Sequence, residues 1–171
     1  VKALVVYESL YGNTHEIAEA VAEGLRETAE VAVQPVAETS PAALAGVDLL
    51  VVGGPTHVHG MSSDMSRRAA AESAKKKSDE PEPDVEGPAL RKWFDELGKT
   101  DHGRGAAFDT RLGKPKVITG SAAKGIARRL RRHGYDIVGD ESFVVDDAAG
   151  PLHEGERERA KEWGKTLARV T

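Results

Sequence analysis

The chain has 171 residues, 39% hydrophobic and 30% charged, with 24 basic against 28 acidic side chains and no cysteine. That length supports one hydrophobic core and a single domain over residues 1–171. The net charge of −4 argues against a general nucleic-acid or membrane binder, whose affinity rests on neutralising phosphates. Without cysteine the chain has no disulfide framework, thiolate catalysis, cysteine-ligated zinc or iron–sulfur cluster, so a redox role calls for a bound organic cofactor.

In chain order, Ala3 to Tyr7 is apolar at consecutive positions, the pattern of a strand covered by helices on both faces. This run is too short to span a bilayer and lacks a signal-peptide cleavage pattern, which predicts a cytoplasmic protein. Ile17, Val21 and Leu25 recur at four-residue spacing with Glu16, Glu19, Glu23 and Arg26 on other faces, which predicts an amphipathic helix capped by Asn13 or Thr14. Val31, Val33 and Val36 make a second strand, placed at a sheet edge by Pro35. Ser40-Pro41-Ala42-Ala43-Leu44 reads as a short helix with Ser40 as its cap, and Leu49 to Gly53 as the third strand. Alternation of strands and helices predicts right-handed crossovers.

From 62 to 86 the periodicity dissolves into serines, alanines, Lys75-Lys76-Lys77 and a run from Asp79 to Asp84, read as a polar surface insertion. Gly87-Pro88 opens a helix carrying Leu90, Trp93, Phe94 and Leu97. Gly105 to Asp109 is the fourth strand, and Lys116 to Thr119 reads as a connecting segment in preference to a further strand. A helix from Ala122 to His133 turns Ile126 and Leu130 inward and Arg128, Arg129, Arg131 and Arg132 outward, with Gly134 as its stop. A fifth strand from Tyr135 to Val145, interrupted at Gly139-Asp140, and a helix from Glu154 to Arg169 complete the chain. Trp93 and Trp163 fall at apolar helix positions and read as core.

The segment Ser9-Leu10-Tyr11-Gly12-Asn13-Thr14 lies between the first strand and the first helix, where an open α/β sheet places its ligands. It offers two hydroxyls, a side-chain amide and backbone N–H groups at a helix head, the donors a phosphate needs without a lysine. Neither a triphosphate-binding Gly-x-x-x-x-Gly-Lys loop nor a dinucleotide Gly-x-Gly-x-x-Gly turn occurs there. The same residues also suit an ordinary hydroxyl-rich turn.

Val5 to Thr14 resembles the signature of the flavodoxin family, and Gly53-Gly54-Pro55-Thr56-His57 resembles that family's second flavin loop. The resemblance covers nearly the whole chain apart from 62–86. It implies a three-layer α/β sandwich around a five-stranded parallel sheet of order 2-1-3-4-5 with non-covalently bound FMN. One departure is Tyr11, where many members carry a second hydroxyl residue.

On this resemblance Pro55, Thr56, His57, Val58, His59 and Gly60 reach the isoalloxazine ring. Gly60 reads either as the residue whose peptide flips to accept from N5–H on reduction or as a plain turn glycine. His57 and His59 have the spacing of metal ligands, but the loop lacks a third, so no metal is expected. A histidine against the flavin would couple its potential to pH. Phe108-Asp109-Thr110-Arg111 forms the third loop, without the family's usual stacking tyrosine. Asp109 is assigned to N3–H, and Arg111 to the ring face, to N1 and O2, or to a surface ion pair.

Three functions follow from this reading. The first is an FMN electron carrier docking to a reductase and an acceptor protein. The second is an FMN-dependent NAD(P)H oxidoreductase acting on a quinone or other small acceptor. The third is an interaction module that has lost its flavin.

Overall fold

The computed structural model describes residues 1–56, 90–101, 103–113 and 121–171. The insertion at 62–86, the helix start at Gly87-Pro88, the connection at Lys116 to Thr119, and His57, Val58, His59 and Gly60 lie outside the described residues. Five strands, β1 (Lys2–Tyr7), β2 (Glu30–Pro35), β3 (Leu49–Pro55), β4 (Gly103–Leu112) and β5 (Tyr135–Val145), alternate with helices α1 (Asn13–Leu25), α2 (Leu90–Glu96), α3 (Ala122–Arg132) and α4 (Glu156–Arg169). All strand pairs are parallel and the sheet order is β2-β1-β3-β4-β5. Both the order and the peripheral place of β2 are as the sequence predicts.

Strand alternation divides the core in two. Ala3, Val5, Leu49, Val51, Ala106 and Phe108 pack on α1 and α4 through Ile17, Val21, Leu25, Ala160 and Leu167. Leu4, Val6, Leu50, Val52 and Ala107 pack on α2 and α3 through Leu90, Trp93, Phe94, Ile126 and Leu130. Trp93 also donates its indole N–H to the Thr39 carbonyl at 2.9 Å. Helices on both faces explain why β1 and β3 are apolar at every central position.

Several boundaries differ from the sequence expectation. β4 extends past Asp109 to Leu112, because Thr110 and Arg111 are buried despite their polarity. β5 is not broken at Gly139-Asp140: Gly105 pairs with Ile137 and Ala106 with Gly139, so a bulge at Val138 absorbs the irregularity. Pro41–Leu44 is a 3₁₀ turn with no side-chain cap from Ser40. α4 begins at Glu156, because a hairpin-like turn holds the preceding residues, with Asp146 N donating to Pro151 O and His153 N to Val144 O.

α1 and α4 meet at two glycines. A Cβ on Gly24 would lie 2.1 Å from the Lys161 carbonyl oxygen, and one on Gly164 would lie 2.2 Å from that of Val21. Along the same seam Glu23 pairs with Arg157 and Lys161, and Glu27 with Lys165. Such exposed pairs set alignment more than stability.

The end of edge strand β5 is covered by α4. Glu156 accepts from the Val144 amide at 2.7 Å and from Arg159 at 2.8 Å, while Arg159 also reaches Glu141 and lies 4.5 Å over the Phe143 ring. The Arg159 hydrogen bond, helped by the Val144 amide and opposed by burial, holds the Glu156 carboxyl below its ordinary range. A lowered folded value means stabilisation present above the unfolded carboxylate pKa and lost as pH falls through the folded one. Glu156→Gln is therefore expected to reduce stability by about 1–2 kcal/mol near neutral pH. In thermal melts that deficit should shrink as the medium is acidified toward pH 3; a deficit constant with pH would refute the assignment.

Candidate functional site

The strand order reverses direction at β1, since the chain goes from β1 out to β2 and then returns across to β3. The carboxyl ends of β1 and β3 consequently diverge into a crevice, the place where open α/β sheets bind ligands. A cleft of about 230 Å³ opens there, lined among the described residues by Leu10, Tyr11, Asn13 and Thr14 from the first loop and Pro55 and Thr56 from the second. Its remaining wall comes from the ends of β4 and β5 and from Ala148 in the turn after β5.

The first loop closes on itself, with the Gly12 amide donating to Ser9 Oγ at 2.9 Å. Gly12 is the N-cap of α1 at φ 90°, a left-handed conformation that an L-residue adopts only with strain. The expected cap from Asn13 or Thr14 is replaced by this glycine, and no side chain caps α1. Both residues lie inside the first turn and face other partners. The Asn13 amide lies against the 146–150 turn, where a Cβ on Gly150 would come within 2.7 Å of Asn13 Oδ1. The Thr14 hydroxyl meets that of Thr110 at 2.8 Å, with both residues buried.

The second loop is anchored through Thr56. Its backbone N–H donates to the Thr110 carbonyl at 2.8 Å, while its hydroxyl donates to Asp109 Oδ2 at 2.9 Å and accepts from the Ala122 amide at 3.0 Å. Asp109, fully buried, also accepts from the Ala123 amide at 2.9 Å and from Ser121 Oγ at 3.2 Å. Its Oδ2 thus gathers the head of α3 and the second loop; its buried Oδ1 has no hydrogen-bond partner among the described residues.

The third-loop residues separate by strand face. Phe108 lies in the core rather than on the cleft, its ring edge-on to Phe143 and Trp163 and directly under Gly53. Thr110 shares its face, toward α1, whereas Asp109 and Arg111 alternate to the other. Arg111 is buried and is the one cation among the described cleft-lining residues. Of the four outward arginines of α3, Arg128, Arg131 and Arg132 are exposed and Arg129 pairs with Asp95 at 3.1 Å.

Sequence reasoning did not find Leu112, Val145 and Ala148 in the cleft wall. It also missed Glu8, buried at the end of β1, which accepts from the Leu90 amide at 2.9 Å and so ties the first loop to α2. The signal available for Glu8 was a carboxylate at the end of an apolar run; for the other three there was none. Among the described residues no group of three or more acidic or histidine side chains is placed to hold a metal, and no helix is long and apolar enough to cross a membrane.

A five-stranded parallel sheet in the order 2-1-3-4-5, covered by helices on both faces and carrying a hydroxyl-rich loop at its switch point, defines a flavodoxin-like fold. In keeping with that class, residues 4–75 match the flavodoxin-domain family model. The fold matches flavodoxin 2 of Bacillus cereus at 20% identity and TM-score 0.67, covering 100% of both chains. It also matches a flavodoxin from the domain Archaea at 20% identity and TM-score 0.64, covering 99% of this chain and 98% of the other. An NAD(P)H dehydrogenase (quinone) of Cupriavidus metallidurans is 42% identical over 86 residues, covering 38% of this chain. The match spans 43% of that relative's length, under half of it.

Proposed function

We propose that the chain binds FMN with its phosphate at the head of α1 and acts as a flavin electron-transfer protein. The observation that carries this reading is the α1 N-terminus at the switch-point crevice, without a side-chain cap and with a buried hydroxyl in its first turn. Backbone N–H groups there, aided by the helix dipole, suit a dianionic phosphate without a lysine. Ser9, Leu10, Tyr11, Gly12, Asn13 and Thr14 would hold the phosphate end. Pro55, Thr56 and Arg111, which line the cleft, would flank the flavin, and Asp109, buried beneath them, would hold Thr56 in place; His57, Val58, His59 and Gly60 are assigned to the ring by sequence alone. The bound flavin would carry the electrons, while these residues bind, orient and exclude water.

Titration of the purified chain with FMN should quench flavin fluorescence with micromolar or tighter affinity, and Thr14→Ala should weaken binding about tenfold. Absence of quenching by a folded chain would reject the reading and leave an interaction module.

A second reading, an NAD(P)H oxidoreductase acting on a quinone, draws support from the partial relative in Cupriavidus metallidurans. Steady oxidation of NADH or NADPH with a quinone, in the absence of any added reductase, would select it. Reduction only through a separate reductase protein would select the carrier, with that reductase and an acceptor as its partners.

A further inference from the structure

We propose that Thr110 acts as a positioning residue that makes the site selective for a phosphate ester, its hydroxyl donating to Thr14 so that the Thr14 proton is committed to the ligand's anion. This inference rests on the FMN reading and deepens it, because it names which group of the ligand the buried hydroxyl pair recognises.

The two hydroxyls lie 2.8 Å apart although 96 residues separate them in the chain. Thr14 is 2% exposed and Thr110 5%, so neither is well solvated and their mutual bond is their means of satisfaction. Strand alternation turns Thr110 toward α1, on the face of Phe108, away from Asp109 and Arg111. Its backbone is held independently, because its carbonyl accepts from the Thr56 amide at 2.8 Å. The hydroxyl is therefore placed by the sheet and does not depend on the loop it serves.

A hydroxyl has one proton and can accept two. Within the pair one hydroxyl donates and the other accepts, and the neighbouring charge chooses between the two directions. The head of α1 carries the positive end of the helix dipole and favours an anion. A phosphate only accepts, so the Thr14 proton goes to it, and Thr14 must then accept from Thr110. Hydrogen bonds in such a series polarise one another, which strengthens the donation from Thr14. Riboflavin, which has the same ring but no phosphate, draws nothing from this series.

The test is fluorescence titration of the wild-type chain, Thr110→Val and Thr110→Ser with FMN and, separately, with riboflavin. Thr110→Val keeps the shape and the backbone bond to Thr56 but removes the hydroxyl. It is expected to weaken FMN binding tenfold or more while changing riboflavin affinity less than about twofold, and Thr110→Ser should restore the preference for FMN. A merely structural effect would lower affinity for both flavins together, and that result would overturn the proposal. So would unchanged FMN affinity in Thr110→Val, or a Thr110→Ser that behaves like valine. If the wild-type chain bound neither flavin, the FMN reading itself would fall; if it bound FMN and Thr110→Val bound it equally, only the role of Thr110 would.

Discussion

Replacing Gly164 by alanine is expected to lower the melting temperature by about 6–12 °C, the equivalent of about 3 kcal/mol in a domain of this size. In an exposed helix the same change stabilises by about 1 kcal/mol, because alanine is the better helix former. Here the sign reverses. The new methyl would stand 2.2 Å from the Val21 carbonyl oxygen and 3.2 Å from the Gly24 Cα, and both obstacles are backbone. A flexible side chain could swing aside, but a helix backbone must translate, and moving α1 outward opens voids around Val21 and Leu25 in the core. Thr166→Ala is the control, since Thr166 is exposed on the same helix. It should leave the melting temperature unchanged or slightly raised. A Gly164→Ala chain that melts with the wild type would show that the two helices are not in close backbone contact.

Asp109→Ala should destabilise the chain by about 3–5 kcal/mol, seen as a lower denaturant midpoint with an unchanged slope. The carboxylate accepts from Thr56 Oγ1, Ser121 Oγ and the Ala123 amide, and removing it strands all three donors in or near the core. Each buried donor left unmade costs about 1–3 kcal/mol, so the sum exceeds the loss expected from side-chain volume alone. Asp109→Asn retains an acceptor oxygen and should cost about half as much. Hydrogen exchange separates this role from general loosening: the Ala123 amide should exchange faster in Asp109→Ala, while amides of α1 remain protected. Uniform loss of protection, or a stability change under 1 kcal/mol, would contradict the assignment of Asp109 as the anchor of α3.

Asp109 sits among Gly105, Ala106, Ala107 and Phe108, and hydrophobic periodicity ends the strand at the first carboxylate. The structure continues it through Thr110 and Arg111 to Leu112, with Asp109 and Thr110 buried on hydrogen bonds to Thr56, the head of α3 and Thr14. Caps failed for a related reason. Asn13 and Thr14 have the right chemistry to cap α1, but contacts with the 146–150 turn and with Thr110 engage their side chains, and Gly12 at φ 90° takes the cap position. Likewise the glycine in β5 suggested a break, whereas pairing along the whole of β4 carries the strand through a bulge at Val138.

The apolar runs of β1 and β3, the helical spacing of Ile17, Val21 and Leu25, the edge position of β2 and the place of the hydroxyl-rich loop from Ser9 to Thr14 between β1 and α1 were all legible in the sequence. Each depends on periodicity or turn chemistry acting over a few residues. The Thr14–Thr110 hydroxyl pair, the gathering of α3 and the second loop by Asp109, and the backbone contact at Gly24 and Gly164 were decided only by the tertiary structure. These join residues far apart in the chain, and whether they meet depends on the register of whole strands and the seating of whole helices, which the packing of the complete core sets.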